Sequence, residues 1–206
     1  SIIERLPNLK MIASTGPFNA SIDMAAAEDH GIHVGTTGGT VASTVELTWA
    51  LILAAMRRIP QYVANLKHGA WQQSGLKTAS MPANFGIGNV LRGKTLGIWG
   101  YGRIGQIVAG YGKAFGMEVC IWGSDASRAQ ALADGYQIAG TRQEFFERSD
   151  VLSLHLRLNE YTHGIVSLQD LSLMKPTSLL VNTSRAELLQ PDALIAALNR
   201  GRPGMA

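Results

Sequence analysis

The chain's 206 residues suffice for one large domain, or for one domain together with part of another. With 46% hydrophobic and 16% charged residues it can bury a real core, which excludes a disordered polyelectrolyte. Its 18 basic and 15 acidic residues leave a formal charge of +3, and the basic residues are scattered, so no cationic stripe points to nucleic acid.

The chain opens without a methionine, and Ile2, Ile3 and Leu6 are spaced like the tail of a helix. Met11 to Thr15 reads as a short strand running into the Gly16-Pro17 turn. Ile22 to Asp29 is an alanine-rich helix closed by Gly31, and Ile32 to Gly35 is a second strand. The glycine-rich stretch Gly35 to Gly39 marks a domain boundary. A long helix is expected from Ser43 to Ile59, opened by a Ser43/Glu46 capping box and stopped by Pro60. Its apolar run, Val45 to Met56, is too short to span a bilayer, and no signal peptide precedes it. From His68 to Leu91 there is little periodicity, and a loop of that length is functional or mobile.

From Thr95 the pattern becomes regular. Strands are expected at Leu96–Gly100, Glu118–Trp122, Val151–Leu156 and Ser178–Asn182, with a weak one at Tyr136–Ala139. Helices are expected at Arg103–Phe115, Ser127–Asp134, Gln143–Arg148, Leu168–Met174 and Pro191–Asn199. Nearly continuous apolar strands alternating with helices imply a parallel sheet covered on both faces, the doubly wound α/β class. The single cysteine, Cys120, precludes a disulfide framework within the chain, fits a reducing cytoplasm and reads as a core residue rather than a nucleophile. No zinc-ligand cluster or nucleophile elbow is present, so no metal site is expected. The final Gly201 to Ala206 stretch reads as the start of a further strand, and the chain is taken as an internal fragment.

Gly100-Tyr-Gly102-Arg103-Ile104-Gly105 is a G-x-G-x-x-G run between an apolar strand and an apolar helix. Gly100 permits the tight turn, Gly102 admits a pyrophosphate to the backbone, and Gly105 lets the helix pack against the sheet. The helix N-terminus then offers N–H groups and a positive dipole end. A second run, Gly88 to Thr95, fits the P-loop pattern G-x-x-x-x-G-K-T, but it leads into a strand instead of opening a helix, so the match is accidental.

The stretch Leu91 to Gly105, followed by Phe115-Gly-Met-Glu-Val, Ser149-Asp-Val-Leu-Ser-Leu-His155, Met174-Lys-Pro176 and Val181-Asn-Thr-Ser-Arg185, resembles the D-isomer-specific 2-hydroxyacid dehydrogenases. The resemblance covers essentially the whole chain. It implies a nicotinamide cofactor, a small 2-keto or 2-hydroxy acid substrate and a homodimer, with the helix from Ser43 as the dimer-forming segment. It also implies two domains. Residues 1–35 would be part of a smaller flavodoxin-like substrate domain, and 36–206 a Rossmann cofactor domain without its last strands.

The resemblance assigns roles residue by residue. Arg185 matches the arginine that grips the substrate carboxylate and polarises the carbonyl. Gly16, Pro17, Phe18 and Asn19 match the loop that holds the carboxylate through backbone N–H groups, although the usual pattern is Gly-x-Gly-x-Asp. His155, Leu156, Thr162, Thr183 and Ser184 match positions lining the ribose and nicotinamide. The proton-donating histidine and its carboxylate lie, in the family, beyond this chain's end. None of His30, His33, His68, His155 and His163 occupies that motif, so the chain should bind cofactor better than it turns over. Arg157, Ala186 and Gln190-Pro191 depart from the family's proline, glycine and Asp-Glu.

The choice between NAD and NADP rests on the end of the second cofactor-domain strand. The ribose-binding aspartate of NAD enzymes is Gly123 here, while Ser124 and Arg128 offer a hydroxyl and a positive charge to a 2′-phosphate. Asp125, two residues on, can stand in for that aspartate and would repel the phosphate; the two readings nearly balance, and the balance tips slightly to NADP. The alternative to an oxidoreductase is a dinucleotide-binding protein without catalysis, either co-repressor-like or a truncated pseudoenzyme.

Overall fold

The computed structural model describes residues 2–14, 21–36, 39–69 and 88–206, which fall into two compact units, Ser1–Val41 and Ala42–Ala206. In the first, a short 3-10 helix at Ile3–Arg5 stands where the tail of an α-helix was expected. Strand β1 (Met11–Ser14) pairs in parallel with β2 (His33–Thr36), in register Met11↔His33 through Ser14↔Thr36. Between them lies α1 (Met24–Asp29), capped by the Asp23 side chain accepting from the Ala26 N–H at 3.0 Å. Ile3, Ala27 and Ile32 form the small core beneath them.

The second unit opens with α2 (Ala42–Met56) and α3 (Ile59–Lys67). This corrects the single helix expected from Ser43 to Ile59. The chain turns at Arg57 and Arg58, the latter left-handed at φ 54°, and Pro60 sits in the first turn of α3. Proline lacks an N–H that the first turn leaves unbonded in any case, so it starts a helix as readily as it ends one. Ser43 lies inside α2, so it is not the N-cap that the expected box required.

Regular alternation follows: β3 (Thr95–Trp99), α4 (Arg103–Ala114), β4 (Glu118–Trp122), α5 (Asp125–Ala133), β5 (Gln137–Ile138), α6 (Arg142–Arg148), β6 (Val151–Leu154), α7 (Leu168–Leu173), β7 (Leu179–Asn182) and α8 (Ala193–Asn199). All pairings are parallel and the strand order is β5-β4-β3-β6-β7, a Rossmann-like doubly wound sheet. Strand order reverses between β3 and β6, which opens a crevice at their C-terminal ends.

The pleat divides the core. Leu96, Ile98, Ile121, Val151 and Val181 face one layer, where α2 supplies Val45, Trp49, Ile52 and Met56, and α4 supplies Val108 and Ala109. Trp99, Leu152, Leu154 and Leu180 face the other, against Phe145 and Phe146 of α6, Leu171 of α7 and Ala193 and Ala197 of α8. Cys120 belongs to this second layer, and burial pushes its thiol pKa up, which keeps it inert. The opposite edge of the sheet is clamped by Asp150. Its carboxylate accepts from the Thr95 N–H at 2.9 Å and from Lys175 Nζ at 2.9 Å, and Lys175 also donates to the Arg148 carbonyl. Among the described residues, no helix is long and apolar enough to cross a membrane, and no cluster of His, Cys, Asp and Glu could hold a metal ion.

Phe145 is fully buried, with the rings of Trp99, Trp122 and Phe146 centred 6.1, 6.4 and 5.7 Å away. Phe145→Ala should cost about 3–5 kcal/mol of unfolding free energy. Urea denaturation checks this, and a loss below about 1 kcal/mol would mean that the aromatic layer can collapse into the gap.

Candidate cofactor and active site

The glycine loop follows β3 at the crevice. Gly100 has φ 103°, and a Cβ on it would stand 2.6 Å from the His155 carbonyl oxygen at the end of β6. A Cβ on Gly105 would stand 2.1 Å from the Gly100 carbonyl oxygen, so glycine alone lets the first turn of α4 approach the loop. Gly102 differs from both. Its φ is −87°, and a Cβ there would meet nothing within 4 Å. The protein's own packing makes no demand for glycine at 102, and the open space lies at an N-terminus of α4 that has no side-chain cap. Free N–H groups, the positive end of the helix dipole and room for a close approach fit a pyrophosphate. Arg103 is exposed, and Ile104 packs partly on the core.

The loop is anchored by a residue not singled out in the sequence. Tyr101, between the two glycines, is buried and donates its hydroxyl to Asp134 at the end of α5, at 2.8 Å. Burial, and then the Asp134 carboxylate, push the phenol pKa above its ordinary value, so Tyr101 remains a donor.

On the β4 side, the Ser124 hydroxyl caps α5 by accepting from the Ser127 N–H at 3.3 Å. Arg128 lies over the Trp122 ring at 5.2 Å and is paired with the exposed Asp125. Both candidate 2′-phosphate ligands therefore already have protein partners.

On the β6 side, His155 donates or accepts at Ser153 Oγ, 2.9 Å from Nε2, and burial pushes its pKa from 6.5 down to about 4. Leu156 packs partly against the second core layer. Thr162 lies in a turn, where its hydroxyl donates to the Arg157 carbonyl at 2.6 Å and accepts from the Asn159 N–H at 2.8 Å.

After β7, three side chains shape the segment that carries Arg185. Asn182 accepts from the Ser184 N–H at 3.0 Å and donates to the Arg185 carbonyl at 2.8 Å. Ser184 donates to the Leu154 carbonyl at 2.9 Å, tying the segment to β6. Thr183 Oγ1 lies 2.8 Å from Thr48 Oγ1 of α2. Arg185 itself is exposed, donates to the Ser184 carbonyl at 2.9 Å and has no carboxylate partner among the described residues. Asn182 and Thr48 were missed in the sequence. Thr48 carried a faint signal, as the one polar residue in the buried stripe Val45, Thr48, Trp49, Ile52, Met56. Gly16, Pro17, Phe18 and Asn19 lie outside the described residues.

A cavity of about 720 Å³ borders β7, α8 and the Leu51–Ala55 side of α2, with Ser184 and Arg185 in its wall. None of the glycine-loop residues lines it.

The family model described as "D-isomer specific 2-hydroxyacid dehydrogenase, NAD binding domain" matches residues 49–206. The chain belongs to this family. A glyoxylate reductase of Aeropyrum pernix is 37% identical over 201 residues, covering 97% of this chain and 59% of that protein. The crystal structure of a putative D-3-phosphoglycerate dehydrogenase from Ralstonia solanacearum is 58% identical with a TM-score of 0.90, covering 100% of this chain and 61% of that one. A D-lactate dehydrogenase from Aquifex aeolicus, solved with NAD and lactic acid, is 30% identical with a TM-score of 0.74, over 98% of this chain and 57% of that one. The chain thus spans about 60% of the length of these dehydrogenases, and its residues 49–206 match their NAD-binding domain.

The depressed His155 pKa has a consequence for stability. An unfolded His155 takes up a proton near pH 6.5, whereas the folded one resists until about pH 4. The unfolded state therefore binds more protons in that window, and stability falls as pH drops from 6.5 towards 4. His155→Gln should flatten the dependence of Tm on pH between these limits while leaving it unchanged above pH 7. An unaltered slope would mean that His155 titrates normally in the fold.

Proposed function

We propose that this protein transfers hydride between a nicotinamide dinucleotide and a small 2-keto or 2-hydroxy acid. The observation that carries the reading is Gly102, where glycine answers to no contact of the protein's own at an uncapped helix N-terminus. The room for a close backbone approach at that terminus suits a pyrophosphate. On this reading Gly100, Gly102, Arg103, Ile104 and Gly105 hold the pyrophosphate. Ser124 and Arg128 lie towards the adenosine, while His155, Leu156, Thr162, Thr183 and Ser184 lie towards the nicotinamide.

The reduced nicotinamide, when bound, supplies the hydride. Arg185 grips the substrate carboxylate and polarises the keto oxygen, tasks that suit a permanently charged planar fork with no carboxylate partner among the described residues. The family resemblance gives carboxylate binding also to Gly16, Pro17, Phe18 and Asn19, which lie outside the described residues. His155 does not supply the proton to the alkoxide, because burial keeps it neutral. The 206 residues are accordingly expected to bind dinucleotide better than they turn over a keto acid. Residues 1–35 form part of a flavodoxin-like substrate domain, and 36–206 belong to the cofactor domain. Exposed Leu47 and Leu51 on α2, with Ile59, Val63 and Leu66 on α3, support a homodimer built on this face. A reducing cytoplasm fits the single unpaired cysteine.

For the cofactor we favour NADP, through Arg128 on its Trp122 platform. Asp125 competes for Arg128, so the preference should be modest. Titrating the chain with NADH and NADPH tests both points. Gly102→Asp should abolish binding of both while the fold persists, and unchanged affinity would remove the phosphate cradle. Arg128→Ala should weaken NADPH and spare NADH, and equal effects would remove the preference.

Turnover tests the catalytic assignment. In the protein carrying its full substrate domain, Arg185→Ala should lower kcat/KM for glyoxylate or hydroxypyruvate by about 10²–10³-fold. Arg185→Lys should recover little, since an ammonium cannot replace the fork. Near-normal kinetics in the alanine variant would take Arg185 out of the mechanism.

A further inference from the structure

Thr48 is fully buried in the middle of α2, on a stripe that is otherwise apolar. A hydroxyl there has to be satisfied or it destabilises the core. Its proton is donated to the Thr44 carbonyl one turn back, at 2.8 Å. A hydroxyl has only one proton, so at the second contact, 2.8 Å from Thr183 Oγ1, Thr48 is the acceptor. Thr183 must then be the donor. Its own proton is consumed, and whatever its oxygen offers to the crevice is lone pairs alone.

The sheet order gives this polarity its place. Ser124 and Arg128 follow β4, on one side of the glycine loop, whereas Thr183 follows β7, on the other, beyond β6. A dinucleotide with its pyrophosphate at Gly102 and its adenosine towards β4 lays its nicotinamide half towards β6 and β7.

We infer that Thr48 is a positioning residue: it fixes the Thr183 hydroxyl as an acceptor for an O–H or N–H donor on the nicotinamide half of the cofactor. The inference rests on the dinucleotide site proposed above. Thr48 touches no ligand and acts through Thr183. Its back-bond to Thr44 is what sets the polarity, since a residue lacking that proton acceptor in the helix could donate to Thr183 as easily as accept from it. Thr48→Val keeps the volume close and removes only the hydroxyl. In that variant Thr183 is half-buried and can turn its proton towards the crevice, presenting a donor where the ligand also presents one.

The test compares each dinucleotide with its half lacking nicotinamide: NADH with ADP-ribose, and NADPH with 2′-phospho-ADP-ribose. Affinities of the 206-residue chain are measured by fluorescence titration and competition. Thr48→Val should weaken the dinucleotide by about five- to tenfold, the size of one hydrogen bond. Binding of the matched half should stay within about twofold, and Thr48→Ser should restore the dinucleotide. In a Thr183→Val background the further change Thr48→Val should have no effect, because the two residues act as one unit. Equal weakening of the dinucleotide and its half would reduce Thr48 to a packing residue and overturn the inference. So would unchanged dinucleotide affinity, or a Thr48→Val effect that persists without the Thr183 hydroxyl. If the unaltered chain bound neither a dinucleotide nor its half, the site itself would be wrong and the inference would fall with it. If it bound both members of a pair equally well, the site would stand and only the role of Thr183 would be lost.

Discussion

The first turn of α4 lies so close to the end of β3 that a methyl group on residue 105 would stand 2.1 Å from the Gly100 carbonyl. That contact sets where the helix begins, and hence where its N–H groups and dipole point. Gly100 itself has φ 103°, and a Cβ on it would stand 2.6 Å from the His155 carbonyl oxygen just past the end of β6. Three backbone segments thus meet at the point where strand order reverses. Tyr101 secures the arrangement from behind by reaching through the core to Asp134. Gly102 is left as the only one of the three motif glycines whose side-chain space is empty.

The two flanks of this point are built differently. Towards β4 the candidate groups are exposed or half-buried and held by short-range contacts: Ser124 with Ser127, Arg128 with Asp125 and Trp122. Towards β7 the segment that carries Arg185 is held by Asn182, by β6 through Ser184 and by α2 through Thr183. Short-range contacts can be exchanged one at a time, whereas the β7 flank depends on distant elements being in register. A crevice with one adaptable and one rigid wall suits a ligand whose reactive half must be placed to a fraction of an ångström and whose other half serves as a handle.

Much of the second unit is legible in the sequence. Strands β3, β4, β6 and β7 are runs of apolar residues buried on both faces, and such runs are bounded clearly by the turns around them. The glycine loop was legible because its spacing and its strand–helix context coincide. Pro60 misled, because a proline looks the same at the end of one helix and in the first turn of the next, and only the left-handed Arg58 before it decides. Thr48 and Asn182 stayed hidden for different reasons. Thr48 meets a partner 135 residues away, which no local pattern encodes. Asn182 works through a turn geometry that asparagine shares with many loops carrying no ligand. The Ser124–Ser127 and Asp125–Arg128 pairs each span three residues and are legible from helix geometry alone, whereas the Trp122 ring under Arg128 belongs to β4.

The Asp150 clamp sits at the end of the sheet away from all of this. There a single carboxylate closes the start of β3 and holds Lys175, which in turn ties down the end of α6. The hydrogen bonds that begin the central strands are therefore separated, by the full length of the sheet, from the side chains that would meet a ligand. Change at one end is not paid for at the other. The crevice residues are therefore free to vary while the strand starts continue to specify the same fold.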